Sequence, residues 1–162
     1  MSPYGRDNLP PSPDRQPAHS PSMTAGLALF HGAYYLVTGL WPLLSIETFQ
    51  MVTGPKTDHL VTGRESDHWL VMTVGVLISV IGLVLLLAGA RRNVTAEVVL
   101  LAVGSAVGLT LIDVTYVGRH VIPLIYLADA AAEVILIVLW GAALFHERGV
   151  PRARLAAQPG RP

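Results

Sequence analysis

Residues 69–90 read WLVMTVGVLISVIGLVLLLAGA, and none of the twenty-two is charged. A helix needs about 20 residues to cross the roughly 30 Å apolar core of a bilayer. This stretch is long enough, and it lacks the charged face that a helix on a soluble core would present to water. Three further stretches have the same character, at 24–44, 94–117 and 121–145. The four together hold 92 residues and only four formal charges, Glu97, Asp113, Asp129 and Glu133. The other 70 residues carry the remaining 18. Helices satisfy their own backbone hydrogen bonds, as lipid requires. The expected fold is therefore all-α: a polytopic membrane four-helix bundle over 24–145, with a long loop at 45–68.

Composition narrows the function. The chain has 162 residues, 14% charged, with 11 acids against 11 lysines and arginines. That balance offers no basic field for nucleic acid. There is no cysteine, so disulfides, thiolate metal sites and thiol nucleophiles are all excluded. No phosphate loop, nucleophile elbow, H-E-x-x-H or dinucleotide fingerprint is present. No cofactor is implied.

Orientation follows the positive residues. Arg6 and Arg15 precede span one, Arg91 and Arg92 join spans two and three, and Arg148, Arg152, Arg154 and Arg161 follow span four. Lys56, Arg64 and Arg119 fall on the other side. Eight against three predicts that both termini are cytoplasmic. The chain is expected to lie in the cell membrane as a multi-pass protein, in a bacterial inner membrane. Residues 1–23 hold six prolines and read as a disordered cytoplasmic tail. Residues 146–162 read as an Arg-rich cytoplasmic tail.

Small residues recur at helical spacing. Gly32 and Gly39 lie a heptad apart in span one, as do Gly75, Gly82 and Gly89 in span two. Span three has a G-x-x-x-G at Gly104 and Gly108, and span four has Ala128 and Ala132. Such positions let membrane helices approach closely. Packing within the chain is one reading; a homo-oligomer or a larger membrane partner held through these faces is the other. The three-residue link at 91–93 makes spans two and three antiparallel neighbours.

Polar residues form a seam. His31, Tyr34, Thr38 and Trp41 share a face of span one, and Tyr126, Asp129, Glu133 and Trp140 share a face of span four. Thr110, Asp113 and Tyr116 belong to span three. An ionised carboxylate in lipid costs at least about 2.5 kcal/mol, so these faces should turn inward. At about 1.5 Å per residue, Glu133 and His31 fall at similar depth, and Asp129 falls level with Tyr34 and Thr38. A His31–Glu133 pair is then feasible if spans one and four adjoin. The ligand-binding candidates are Asp113, Asp129, Glu133, His31, Tyr34, Trp41 and Tyr126. The alternative is that the carboxyls are protonated or hydrogen-bonded and only fix helix register.

The loop carries a tandem repeat, MVTGPKTDH at 51–59 and LVTGRESDH at 60–68. Its Asp58, His59, Asp67 and His68 are weak metal candidates, against a plain local duplication. Ser66 reads as the N-cap of span two. Ile46, Phe49 and Val52 share a face and suggest a short interfacial helix beside Trp41 and Trp69.

HGAYYLVTGLWPLL at 31–44, VTGPKTD at 52–58 and Trp69-Leu70-Val71 together resemble an uncharacterised group of small four-span bacterial membrane proteins. The resemblance implies fold and location and no activity, and it makes 60–68 an insertion. In size and helix count the chain also resembles DoxX-like proteins and the sterol-isomerase and sigma-2-receptor group. Members of the latter use intramembrane acids to hold a cationic or carbocation-like ligand; no residue role is transferred. Three functions remain open: an acidic seam that binds a small cationic or amphiphilic ligand or relays protons; a non-enzymatic accessory or assembly subunit; and a lipid-modifying, isomerase-like enzyme with Glu133 and His31 as acid and base.

Overall fold

The computed structural model describes residues 22–54 and 68–156, with side chains up to 147. Five helices occupy them, and no strand occurs among the described residues. They are α1 (Met23–Leu44), α2 (Ile46–Thr53), α3 (His68–Ala90), α4 (Ala96–Gly118) and α5 (Tyr126–Ala156). Four are long and apolar enough to cross a membrane: α1, α3, α4 and the Tyr126–Glu147 part of α5. The short α2 is the helix expected around Phe49. Ser66, Asp67 and most of the tandem repeat lie outside the described residues, as do the two tails apart from Ser22, Met23 and the start of the second.

The helix ends show how local sequence sets the boundaries. Ser22 caps α1, its hydroxyl accepting from the Ala25 amide. Ser45 serves two helices: its amide donates to the Trp41 carbonyl, and its hydroxyl accepts from the Thr48 amide to start α2. α4 ends with His120 in the left-handed region at φ 57°. His120 N donates to Val117 O at 2.9 Å, and Val121 N to Tyr116 O at 2.9 Å. That pair of bonds is a Schellman closure. Arg92, at φ 51°, closes α3 in the same way. The closure at His120, followed by Pro123, is why α5 begins at Tyr126 and not at residue 121. Apolar composition alone does not reveal such a stop.

The tightest packing joins α1 to α3. A Cβ on Gly32 would lie 2.7 Å from the Gly82 carbonyl oxygen, and one on Gly39 would lie 2.8 Å from that of Gly75. A Cβ on Gly89 would meet the Ala25 carbonyl at 2.8 Å. The residue numbers run in opposite directions, seven at a time, so the helices are antiparallel and their backbones touch. Lipid supplies no hydrophobic force between helices, so this close van der Waals fit is the main source of their association. α4 and α5 form the second pair. α3 and α4, expected as neighbours from their short link, touch far less. Among the described residues Gly104 and Gly108 show no such close packing, since a Cβ on either meets nothing within 4 Å.

The two pairs meet along α1 and α5. At the end holding the termini, Ala28, Leu85, Ala102 and Trp140, one from each spanning helix, form a filled core. There Glu147 Oε1 accepts from Ser22 Oγ at 3.0 Å, Thr24 N at 3.0 Å and Thr24 Oγ1 at 3.1 Å. This carboxylate satisfies the start of α1 from another helix, where its charge also suits the helix dipole.

The glycine contacts give an expectation of opposite signs. Gly82→Ala forces a Cβ against backbone and should cost about 1–3 kcal/mol. Gly104→Ala meets open space and should gain about 0.5–1 kcal/mol of helix stability. Thermal unfolding of the two variants in detergent tests this; equal effects would contradict the packing described.

Candidate functional site

Hydroxyls in the spanning helices satisfy themselves. Thr38 donates to Tyr34 O, Ser79 to Gly75 O, Ser105 to Leu101 O and Thr110 to Ala106 O, each on its own helix. An ionised carboxylate has no such option, because it only accepts and the carbonyls within its reach do not donate. Its donor must come from another helix. α1 provides it twice. Tyr35 Oη donates to Glu133 Oε2 at 3.1 Å, and the Tyr34 hydroxyl donates to Asp129. Below these bonds, Trp140 Nε1 donates to His31 Nδ1 at 3.1 Å. With the Glu147 cap, four polar rungs run along the α1–α5 interface.

The seam is thus real in outline and different in pairing. His31 does not bond Glu133: among the described residues its Nε2 has no hydrogen-bond partner, and its Nδ1 is taken by Trp140. Tyr35, one turn further along α1, reaches the carboxylate instead. Its ring stands edge-on to the imidazole, with centroids 4.3 Å apart. Tyr35 and Glu133 are each 1% exposed and His31 is fully buried. Tyr35 was not among the candidates. The signal for it was its position four residues after His31, on the flank of the Gly32–Gly39 face.

Above the rungs, at the end holding α2, the helices line a half-open cavity of about 460 Å³. All five helices contribute to its wall. Asp113 of α4 and Asp129 and Glu133 of α5 lie on it together, with Tyr35, Trp41 and Tyr126. The rest is mostly apolar, from Phe49 and Val52 of α2 to Val74 and Ile78 of α3. Of the seven ligand-binding candidates, the cavity gathers Asp113, Asp129, Glu133, Trp41 and Tyr126. His31 and Tyr34 stand behind the wall. Tyr116 is exposed, with the Arg119 guanidinium 6.0 Å from its ring centroid.

α2 roofs the cavity and is pinned on two sides. Trp41 Nε1 donates to Thr48 Oγ1 at 3.0 Å, and the Trp41 ring meets Phe49 edge-on at 5.8 Å. On the other side Gln50 Nε2 lies 2.8 Å from His68 Nε2. Asp58, His59 and Asp67 lie outside the described residues. Among the described residues no three His, Asp or Glu side chains are placed to hold a metal ion.

No family model, no curated protein and no solved structure matches this chain. The site therefore rests on its own chemistry: an apolar chamber with acids on one wall.

The rungs can be ranked. Hydrogen bonds between membrane helices contribute about 0.6 kcal/mol on average and up to about 1.7, so Tyr35→Phe should destabilise by that order. Trp140→Ala removes a filled core as well and should cost about 3–5 kcal/mol. A Trp140→Ala melting temperature in detergent at or above that of Tyr35→Phe would refute this ranking.

Proposed function

We propose that this chain is a multi-pass membrane protein whose cavity binds a small cationic amphiphile. The observation that carries the reading is the convergence of Asp113, Asp129 and Glu133 on one otherwise apolar cavity. The four spans themselves contain no lysine or arginine. A guest with a positive head and an apolar body matches both parts of the wall. Aromatic Tyr35, Trp41 and Tyr126 add quadrupolar faces that favour a cation. The size is in the range of small-molecule sites, about 300–1,000 Å³.

The positive residues assign the sides. Arg91 and Arg92 sit at the same end as Ser22 and Glu147, so that end is cytoplasmic by the positive-inside rule. The cavity then lies in the outer half of the membrane. Trp41, Val52 and Leu70 of its wall are also exposed, which supports entry from the lipid or from the outer surface beside α2. The acid–base pairing of Glu133 with His31 finds no support in this geometry, because the cavity wall includes one and not the other.

One observation favours a second reading. Gly104 is exposed and Gly108 half-buried, and a Cβ added to either would meet nothing within 4 Å among the described residues. Such a face suits another membrane helix, as an accessory subunit would need. Extraction in mild detergent separates the readings: a stoichiometric partner protein supports the second, and a monodisperse chain alone argues against it.

The first reading is tested with tetraphenylphosphonium, a permanent apolar cation. The purified chain should bind it, and Asp129→Asn with Glu133→Gln should weaken binding by about tenfold or more while the protein still inserts. Unchanged affinity in the double variant would overturn the assignment.

A further inference from the structure

One stripe of α3 is sealed at one end and open at the other. Leu70, Val74, Ile78, Ile81 and Leu85 follow one another at steps of three or four and share a face. At the end holding the termini, Leu85 meets Ala102 of α4 in the filled core, with Ile81 packed against it. Leu85 and Ala102 are both fully buried. The link at 91–95 turns the chain back, so α3 and α4 run antiparallel. One heptad further along each helix, Ile78 falls level with Leu109. From there toward α2 the two helices no longer seal: Leu70, Val74 and Ile78 of α3 and Leu109 and Ile112 of α4 line the cavity instead. Val74 is 44% exposed and Ile112 is 55% exposed.

Depth decides what lies outside this cleft. Val74 comes six residues after the start of α3 and Ile112 six before the end of α4, about 9 Å along either axis at 1.5 Å per residue. At that depth a spanning helix faces the apolar core of the bilayer and not water. The cavity wall is also two-sided. Tyr35, Glu133 and Asp113 on it are buried, whereas α3 brings no polar side chain to it. The polar side is the covered one, and the apolar side is the one that opens. An empty apolar cavity forfeits the dispersion contacts of its lining, and apolar walls hold water poorly. Apolar matter fills such a space better, and the cleft opens onto a source of it.

We propose that the guest is a single-chain amphiphile bound head-inward, its head at Asp129 and Glu133 and its alkyl chain leaving between α3 and α4 into the bilayer. This rests on the cation-binding reading above and names the class of guest, a long-chain alkyl cation. A chain longer than the cavity is no obstacle, because the excess stays in lipid. The reverse orientation would hold a charged head in the bilayer core beside Val74 and Ile112, where charge is costly. It would also lay an alkyl chain against the buried carboxyl groups. The cleft gives a guest dissolved in the membrane a path that does not cross the α2 roof.

The experiment uses the full chain in phosphatidylcholine nanodiscs and hexadecyltrimethylammonium carrying a photoactivatable diazirine, either on the head or at mid-chain. Adducts are mapped by mass spectrometry, and those lost in excess tetraphenylphosphonium mark the site against the lipid-facing background. The head probe should label α5 around Asp129 and Glu133. The mid-chain probe should label Val74–Ile78 of α3 and Leu109–Ile112 of α4. Competed mid-chain adducts on Phe49 or Val52 of α2, with none at the cleft, overturn the cleft and leave the cation-binding reading standing. Head adducts at the cleft with chain adducts at the acids do the same. Binding of tetraphenylphosphonium that removes no adduct of either probe overturns the long-chain guest alone. Failure of tetraphenylphosphonium and both probes to bind overturns both readings.

Discussion

An ionised carboxylate buried among apolar helices only accepts, so it must find its donor on another helix, and in this chain that helix is α1. Tyr34 and Tyr35 supply hydroxyls to Asp129 and Glu133, and the start of α1 supplies three donors to Glu147. The neighbouring hydroxyl residues need no such help, since they fold back onto their own carbonyls. The acids of α5 are therefore the groups that dictate how the two helix pairs meet. Broad apolar packing between the pairs is sparse at the end holding α2, where a cavity takes its place.

α1 is committed on two adjoining faces. Ala25, Gly32 and Gly39 meet the backbone of α3, and Thr24, His31, Tyr34 and Tyr35 meet α5. The first face needs residues with almost no side chain, and the second needs long polar ones. The glycine face draws α3 against α1 along its whole length. Near the termini Trp140 is large enough to fill the space toward α4 and α5. Near α2 the facing residues are Thr38, Asp129 and Glu133, and the space stays open. The size of the residues facing the gap, and not the glycine contact, distinguishes the filled end from the open one.

The spanning helices were legible because absence of charge over twenty or more residues is a strong and local signal. α1 and α3 begin and end within a residue of the expected spans. The start of α5 was not legible: Val121 and Ile122 are apolar, and the stop comes from backbone geometry at His120. Glycine spacing marked both sides of the α1–α3 contact, and it marked Gly104 and Gly108 equally well, though a Cβ on either would meet nothing within 4 Å among the described residues. Spacing reports that a helix can be approached closely, not by what. Depth counting placed Asp129 level with Tyr34, which is the pair found. It also placed Glu133 level with His31, and there the longer reach of Tyr35 decided the partner. Glu147 was read as part of a tail, because its partners Ser22 and Thr24 lie more than 120 residues away in sequence.

The same rungs define which way the cavity can communicate. Toward the termini it is followed by Glu133 and Tyr35, then by His31 and Trp140, then by the Glu147 cap. Trp140 and His31 are fully buried, so no side chain there can swing aside without opening the core formed with Ala28, Leu85 and Ala102. A guest that reaches the acids from the α2 end meets a closed wall. Passage onward would break the Trp140–His31 bond and the Glu147 cap together, and each break leaves a buried polar group without its partner, at about 1–3 kcal/mol apiece. The polar rungs thus form the floor of the cavity.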